Sequence, residues 1–193
     1  MSYFPALLKI ENSKVLVVGG GNIAGDKIEK LLDFTKDITV ISPDILDKTK
    51  ELIDKNRLNF INREYRDGDI EGFSIVVVAV DNISLQQTIF KECQKYNILC
   101  NSVDSVEYCN FIFPSYIKRG NLIVAFSTSG LSPSVSKYLR VAIEKLIPDS
   151  IETFLDEMKK IRDSLPKGKE RMKLLDQKAK EYIDKHFNIF KKG

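Results

Sequence analysis

Three consecutive glycines, Gly19-Gly20-Gly21, run into Asn22-Ile23-Ala24, and two aspartates downstream, Asp44 and Asp104, stand at spacings suited to work on a bound dinucleotide. The glycines match a phosphate-binding turn of the G-x-G-x-x-G/A type. Gly19 allows the sharp turn, Gly21 lets the backbone approach a pyrophosphate, and Ala24 lets helix and strand pack closely. A helix starting near Asn22 and Ile23 would aim its N–H groups and positive dipole end at the phosphates. The bland alternative is a glycine loop that only turns the chain.

Asp44 is the candidate for the ribose hydroxyls, about 20 residues past the turn. It lies beyond the second strand, so Ser42, Pro43 or backbone groups could share that task, and Asp44 could also cap a helix before Ile45. No arginine follows the second strand until Arg57, which favours NAD over NADP.

The elements that must hold these groups read from periodicity. Val15–Val18 and Ile38–Ile41 are short β-branched runs of the kind buried in parallel sheets, and Ile28, Leu31 and Leu32 give the helix between them an apolar stripe. Further segments suit a helix at 46–53, strands at 58–61 and 75–80, a helix at 85–96 and a strand at 98–101. The result is an α/β class chain with a Rossmann-like doubly wound parallel sheet over residues 1–112. Ligands in such sheets bind beyond the carboxyl ends of the strands, which nominates Val80-Asp81-Asn82 and Ser102-Val103-Asp104 for the cofactor cleft. A carboxylate after the fifth strand, Asp104, should face the nicotinamide end.

The pattern then changes to antiparallel. Phe111-Ile112-Phe113, Ser115-Tyr116-Ile117 and Leu122–Phe126 predict strands joined by tight connections, followed by a helix from Ser132-Pro133 to Leu146 with Val135, Leu139, Ala142, Ile143 and Leu146 on one face. Ser150 is expected to cap the next helix, Pro166-Lys167-Gly168 to break it, and a last helix to complete a hairpin. The divisions are 1–112 for nucleotide binding, 113–147 for a small antiparallel β/α segment and 148–193 for a helical domain.

Composition bounds the rest. The longest strongly apolar run is far too short to cross a bilayer and the first ten residues lack the pattern of a signal peptide, which predicts a cytoplasmic protein. Cys93, Cys100 and Cys109 show no CxxC spacing, so neither a disulfide framework nor a structural metal site is expected. Residues 1–113 carry 13 Lys/Arg against 17 Asp/Glu, and residues 114–193 carry 17 against 10. A basic second half suits a polyanionic partner, or merely solvates helices.

Several segments together resemble the precorrin-2 dehydrogenases, the siroheme-synthase N-terminal module of tetrapyrrole biosynthesis. They are Tyr3-Phe4-Pro5 with Leu7-Leu8, the run Val17 to Ala24 with Lys27, Cys100 to Asp104, and Phe111 to Ser115. Ile123 to Pro133 and Leu139-Arg140 complete the set. The resemblance implies an NAD-dependent oxidoreductase that converts precorrin-2 to sirohydrochlorin. It further implies a homodimer with a central dimerisation segment, 113–147, and no nucleic-acid or membrane partner. It gives Asp104 as the catalytic acid or base, and the substrate's eight carboxylates supply an anionic partner for Lys118, Arg119, Lys137, Arg140 and Lys145. Ser127, Thr128 and Ser129 would offer hydroxyls to those carboxylates, although Ser129 stands where relatives tend to have glycine.

Some relatives also insert ferrous iron into sirohydrochlorin. The sequence is poor in ligands for that step, its one histidine, His186, fitting a surface or packing role. A different reading makes the chain an NAD-sensing regulatory module without chemistry, and a nucleic-acid role rests on basic charge alone.

Overall fold

The computed structural model describes residues 3–187, which divide after Ile112 into two units. The first is built on five parallel strands, β1 (Val15–Val18), β2 (Ile38–Ile41), β3 (Asn59–Ile61), β4 (Ile75–Val78) and β5 (Leu99–Ser102), in the order β3-β2-β1-β4-β5. Three of them, reading VLVV, ITVI and IVVV, are buried at every residue, because helices cover both faces of the sheet. Those helices are α1 (Asn22–Leu32), α2 (Asp47–Asn56) and α3 (Ile83–Lys95). The chain winds outward from β1 to β3 and then returns to place β4 on the other side of β1. Above this switch in direction the crossovers diverge and leave a crevice at the carboxyl ends of β1 and β4.

Phe111-Ile112-Phe113 is not a strand, contrary to the expectation from its apolar run. The edge of β5 is closed instead by the Asn110 amide, which accepts from the Cys100 N–H at 2.7 Å and donates to the Ile98 carbonyl at 3.1 Å, while Asn101 Nδ2 donates to the Phe111 carbonyl. These side-chain bonds use the groups that a sixth strand would have paired.

The second unit begins with an antiparallel hairpin, β6 (Ser115–Arg119) and β7 (Leu122–Phe126), in which Ile117 faces Val124. Helices α4 (Pro133–Glu144), α5 (Ile151–Ser164) and α6 (Lys169–Phe187) follow. Ser132 caps α4 by accepting from the Val135 N–H, with Pro133 in the first turn. The core gathers Ile117, Ile147 and Ile151 with Val124, Phe126, Ile143, Phe154 and Tyr182 around them. Phe154 and Tyr182 stack with ring centroids 4.0 Å apart, and His186 packs on Tyr182 at 4.4 Å.

Ser150 is the N-cap residue of α5, as expected, although its hydroxyl meets the Tyr182 hydroxyl at 2.8 Å and makes no capping bond. The apolar stripe that runs from α4 to Leu146 stays largely open: Val135, Leu139 and Leu146 are 48%, 46% and 61% exposed, and only Ile143 of that stripe joins the unit's core. Periodicity identified the face correctly but could not say that the unit leaves it uncovered.

Candidate functional site

The three glycines do different work. Gly19 has φ +121°, and a Cβ there would stand 2.2 Å from the Ala79 carbonyl oxygen; one on Gly20 would stand 2.3 Å from that of Asp44. Both positions therefore exclude a side chain because neighbouring crest loops lie against them. Gly21 is the opposite case, with nothing within 4 Å of an added Cβ. Its carbonyl is held from behind by the buried Thr49 hydroxyl at 3.1 Å. Beyond it α1 starts with no side-chain cap and no acid in its first turn, so N–H groups and the positive helix end are offered to an anion. The bare approach at Gly21 and the uncapped helix fit a dinucleotide's pyrophosphate.

Beside the turn a cavity of about 420 Å³ opens over the ends of β1 and β2. Gly19, Ser42, Pro43 and Val80 line it, as the sequence predicts, together with Asn82. Asp44, Asp81, Gly21, Asn22 and Ile23 are not among its lining residues. Asp44 is exposed, and its carbonyl rather than its carboxylate is engaged, accepting from the Ser42 hydroxyl at 2.5 Å. Nor does Asp44 cap α2, whose N-cap is Leu46.

Glu64, Tyr65, Ser84, Leu85 and Thr88 also line the cavity, and sequence reasoning missed them. The rule that ligands sit beyond strand ends could have found the first two, because they follow β3. The Tyr65 hydroxyl donates to Glu92, whose other oxygen accepts from the Gly68 N–H at 2.7 Å. Burial, reinforced by Glu92, pushes the Tyr65 hydroxyl well above its ordinary range, so it remains a donor.

Asp104 follows β5, exposed and with φ +59°, a left-handed conformation that aspartate and asparagine tolerate better than most residues. Cys109 closes its loop. The thiol sulfur accepts from the Ser102 N–H at 3.2 Å and stands 3.1 Å and 3.3 Å from the Ser102 and Ser105 carbonyls, to which it can donate. Burial pushes the thiol up, which keeps it protonated for that role. Beneath, Gln86 is buried on α3 and donates to the Val80 carbonyl at 2.7 Å and the Val103 carbonyl at 3.4 Å, joining the loops after β4 and β5.

Lys27 on α1 belongs to the same neighbourhood. Burial, aided by Lys30, lowers its pKa to about 8, against the opposing pull of Cys109, Asp104 and Asp26. An amine whose folded pKa lies below its unfolded one gives stability that is complete above the unfolded value and is lost as pH falls through about 8. Lys27→Met should therefore unfold at higher denaturant than the parent at pH 7, with the difference narrowing toward pH 10. A difference independent of pH would refute this account.

Several substrate-binding candidates of the second unit are engaged within it. Thr128 closes its own turn: its hydroxyl donates to the Ser132 carbonyl and accepts from the Ser132 N–H, each at 3.0 Å. Ser127 Oγ accepts from the Ser129 N–H, and Ser129 takes φ +54°, the conformation for which glycine is the easier residue. Arg119 donates to the Ile147 carbonyl and to Asp149 at 2.8 Å, and Arg140 pairs with Glu144 at 2.5 Å. Lys118, Lys137 and Lys145 are exposed. Among the described residues no group of three His, Cys, Asp or Glu gathers to hold a metal ion, and no helix is long and apolar enough to cross a membrane.

A family model described as "Putative NAD(P)-binding" matches residues 6–115. The siroheme synthase of Pseudoalteromonas atlantica is 33% identical over 165 residues, 86% of this chain and 36% of that protein. That of Photorhabdus laumondii is 30% identical over 188 residues, 97% of this chain and 39% of the relative. The chain thus spans less than two fifths of the length of these two curated relatives. The solved structure of SirC, precorrin-2 dehydrogenase, superposes with a TM-score of 0.76 at 24% identity, covering 98% of this chain and 93% of that one, and so shares its fold.

Proposed function

Because the chain belongs to the NAD(P)-binding family and its relatives include siroheme synthases, we propose that it oxidises precorrin-2 to sirohydrochlorin with NAD, in the cytoplasm. The observation that carries the cofactor half is the contrast among the glycines, crowded at Gly19 and Gly20 and bare at Gly21 over an uncapped helix. The substrate half rests on the relatives and on the basic second part of the chain.

NAD, when bound, supplies the hydride acceptor. Gly21 and the first turn of α1 would hold its pyrophosphate, while Ser42, Pro43 and Val80 would line its adenosine side. The oxidation removes a hydride and a proton, and Asp104 is the group proposed to take the proton or to hold the pyrrole nitrogen that releases it. Lys27 lies within its electrostatic reach. Exposed Lys118 and Lys137, with Ser127 and Ser129, would meet substrate carboxylates. Thr128, Arg119 and Arg140, already bonded within the unit, would position these groups rather than contact them.

The uncovered face of α4, with Val135, Leu139 and Leu146 outward and Tyr138 70% exposed, supports assembly as a homodimer through this segment. Incubating the protein anaerobically with precorrin-2 and NAD should give sirohydrochlorin absorbance and NADH in equal amounts, from a species of twice the 22.0 kDa chain mass. NAD binding without turnover would make the chain a sensor instead.

A further inference from the structure

Resting on that cofactor reading, we infer that Asp69 makes the pocket select the dinucleotide without a 2′-phosphate, by sequestering Arg63, an arginine beside the residues that line the ribose side. The end of β3 is tied to the ribose side of the crest, since Asn62 Nδ2 donates to the Pro43 carbonyl at 3.1 Å. Glu64 and Tyr65, two and three residues on, line the cavity with Ser42 and Pro43. Arg63 lies between Asn62 and Glu64 yet is not a lining residue.

Its guanidinium is occupied by a two-pronged bond to Asp69, Nη1 to Oδ2 at 2.6 Å and Nη2 to Oδ1 at 2.7 Å, and Nη1 also donates to the Glu64 carbonyl at 2.9 Å. Asp69 is fixed in turn by the Arg66 N–H at 2.8 Å, and its side chain is only 14% exposed. Such a fork fixes a guanidinium in position and direction more firmly than a single contact could.

Among the described residues the cavity's lining includes Glu64 and neither lysine nor arginine. A 2′-phosphate entering there would meet like charge on one side and find its natural partner already paired. Arg57 cannot substitute, because it caps the end of α2 and precedes β3, at the opposite end of the strand that Arg63 follows. Specificity here is set by an internal ion pair and not by a direct contact with the ribose.

The test measures dissociation constants for NAD and NADP by calorimetry on the full chain and two variants. Asp69→Asn keeps an acceptor for the Arg66 N–H but gives up the charged fork; gaining one charge-assisted bond to phosphate should tighten NADP about 10-fold and leave NAD nearly unchanged. Adding Arg63→Gln should return NADP affinity to the parent value. Should Asp69→Asn not fold, Asp69→Ser keeps a hydroxyl acceptor for the Arg66 N–H, removes the carboxylate and should show the same gain. Unchanged NADP affinity in the folded single variant, or a gain that survives loss of Arg63, overturns the inference. A parent chain that binds neither dinucleotide overturns the cofactor reading itself, and this inference falls with it.

Discussion

Gly21→Val is expected to weaken NAD binding about 100-fold or more while leaving the fold intact, since a branched side chain occupies the path of the pyrophosphate and removes at least two backbone bonds to it. The protein itself has room for the change, because nothing stands within 4 Å of that position. Gly19→Ala is the control with the opposite signature. Its added methyl would stand 2.2 Å from the Ala79 carbonyl oxygen at φ +121°, so loss of folded protein should precede any selective loss of affinity. Circular dichroism and NAD titration on the two variants separate the outcomes. Should Gly21→Val bind like the parent, the phosphate would lie elsewhere and the site would have to be redrawn.

Asp104→Asn should lower turnover about 10²- to 10⁴-fold, the range expected for a proton-handling group, with NAD affinity nearly unchanged. Asparagine is the informative substitution because it accepts the left-handed φ of +59° that alanine would strain, so charge is removed without disturbing the loop that Cys109 closes. Single-turnover measurements with saturating NAD read the chemical step directly. If cofactor affinity collapses and the step survives, Asp104 is a binding residue and the proton goes elsewhere.

The nucleotide-binding half was legible because its signals are local. Short β-branched runs, a glycine turn and helical stripes each constrain a few consecutive residues, and the parallel sheet follows from their alternation. The stretch between β3 and β4 carries no such repeat. It is organised by the Arg63–Asp69 and Tyr65–Glu92 pairs, whose partners lie six and 27 residues apart, so beyond their position after β3 no pattern of residue types pointed to Glu64 and Tyr65.

In the second unit residue type showed capacity but not commitment. Arg119 and Thr128 have the chemistry to meet a carboxylate, yet the structure engages the first with the end of α4 and the second with its own turn. The α4 stripe shows a related limit: spacing reveals a sticky face but not whether another part of the same unit covers it.

Gln86 gives the crest a mechanical property. One amide donates to the carbonyls of both Val80 and Val103, so the segment that would bear on the adenosine side and the one that leads into Asp104 share a single planar anchor. Without that amide the two mouths of the crevice would lose this side-chain tie between them.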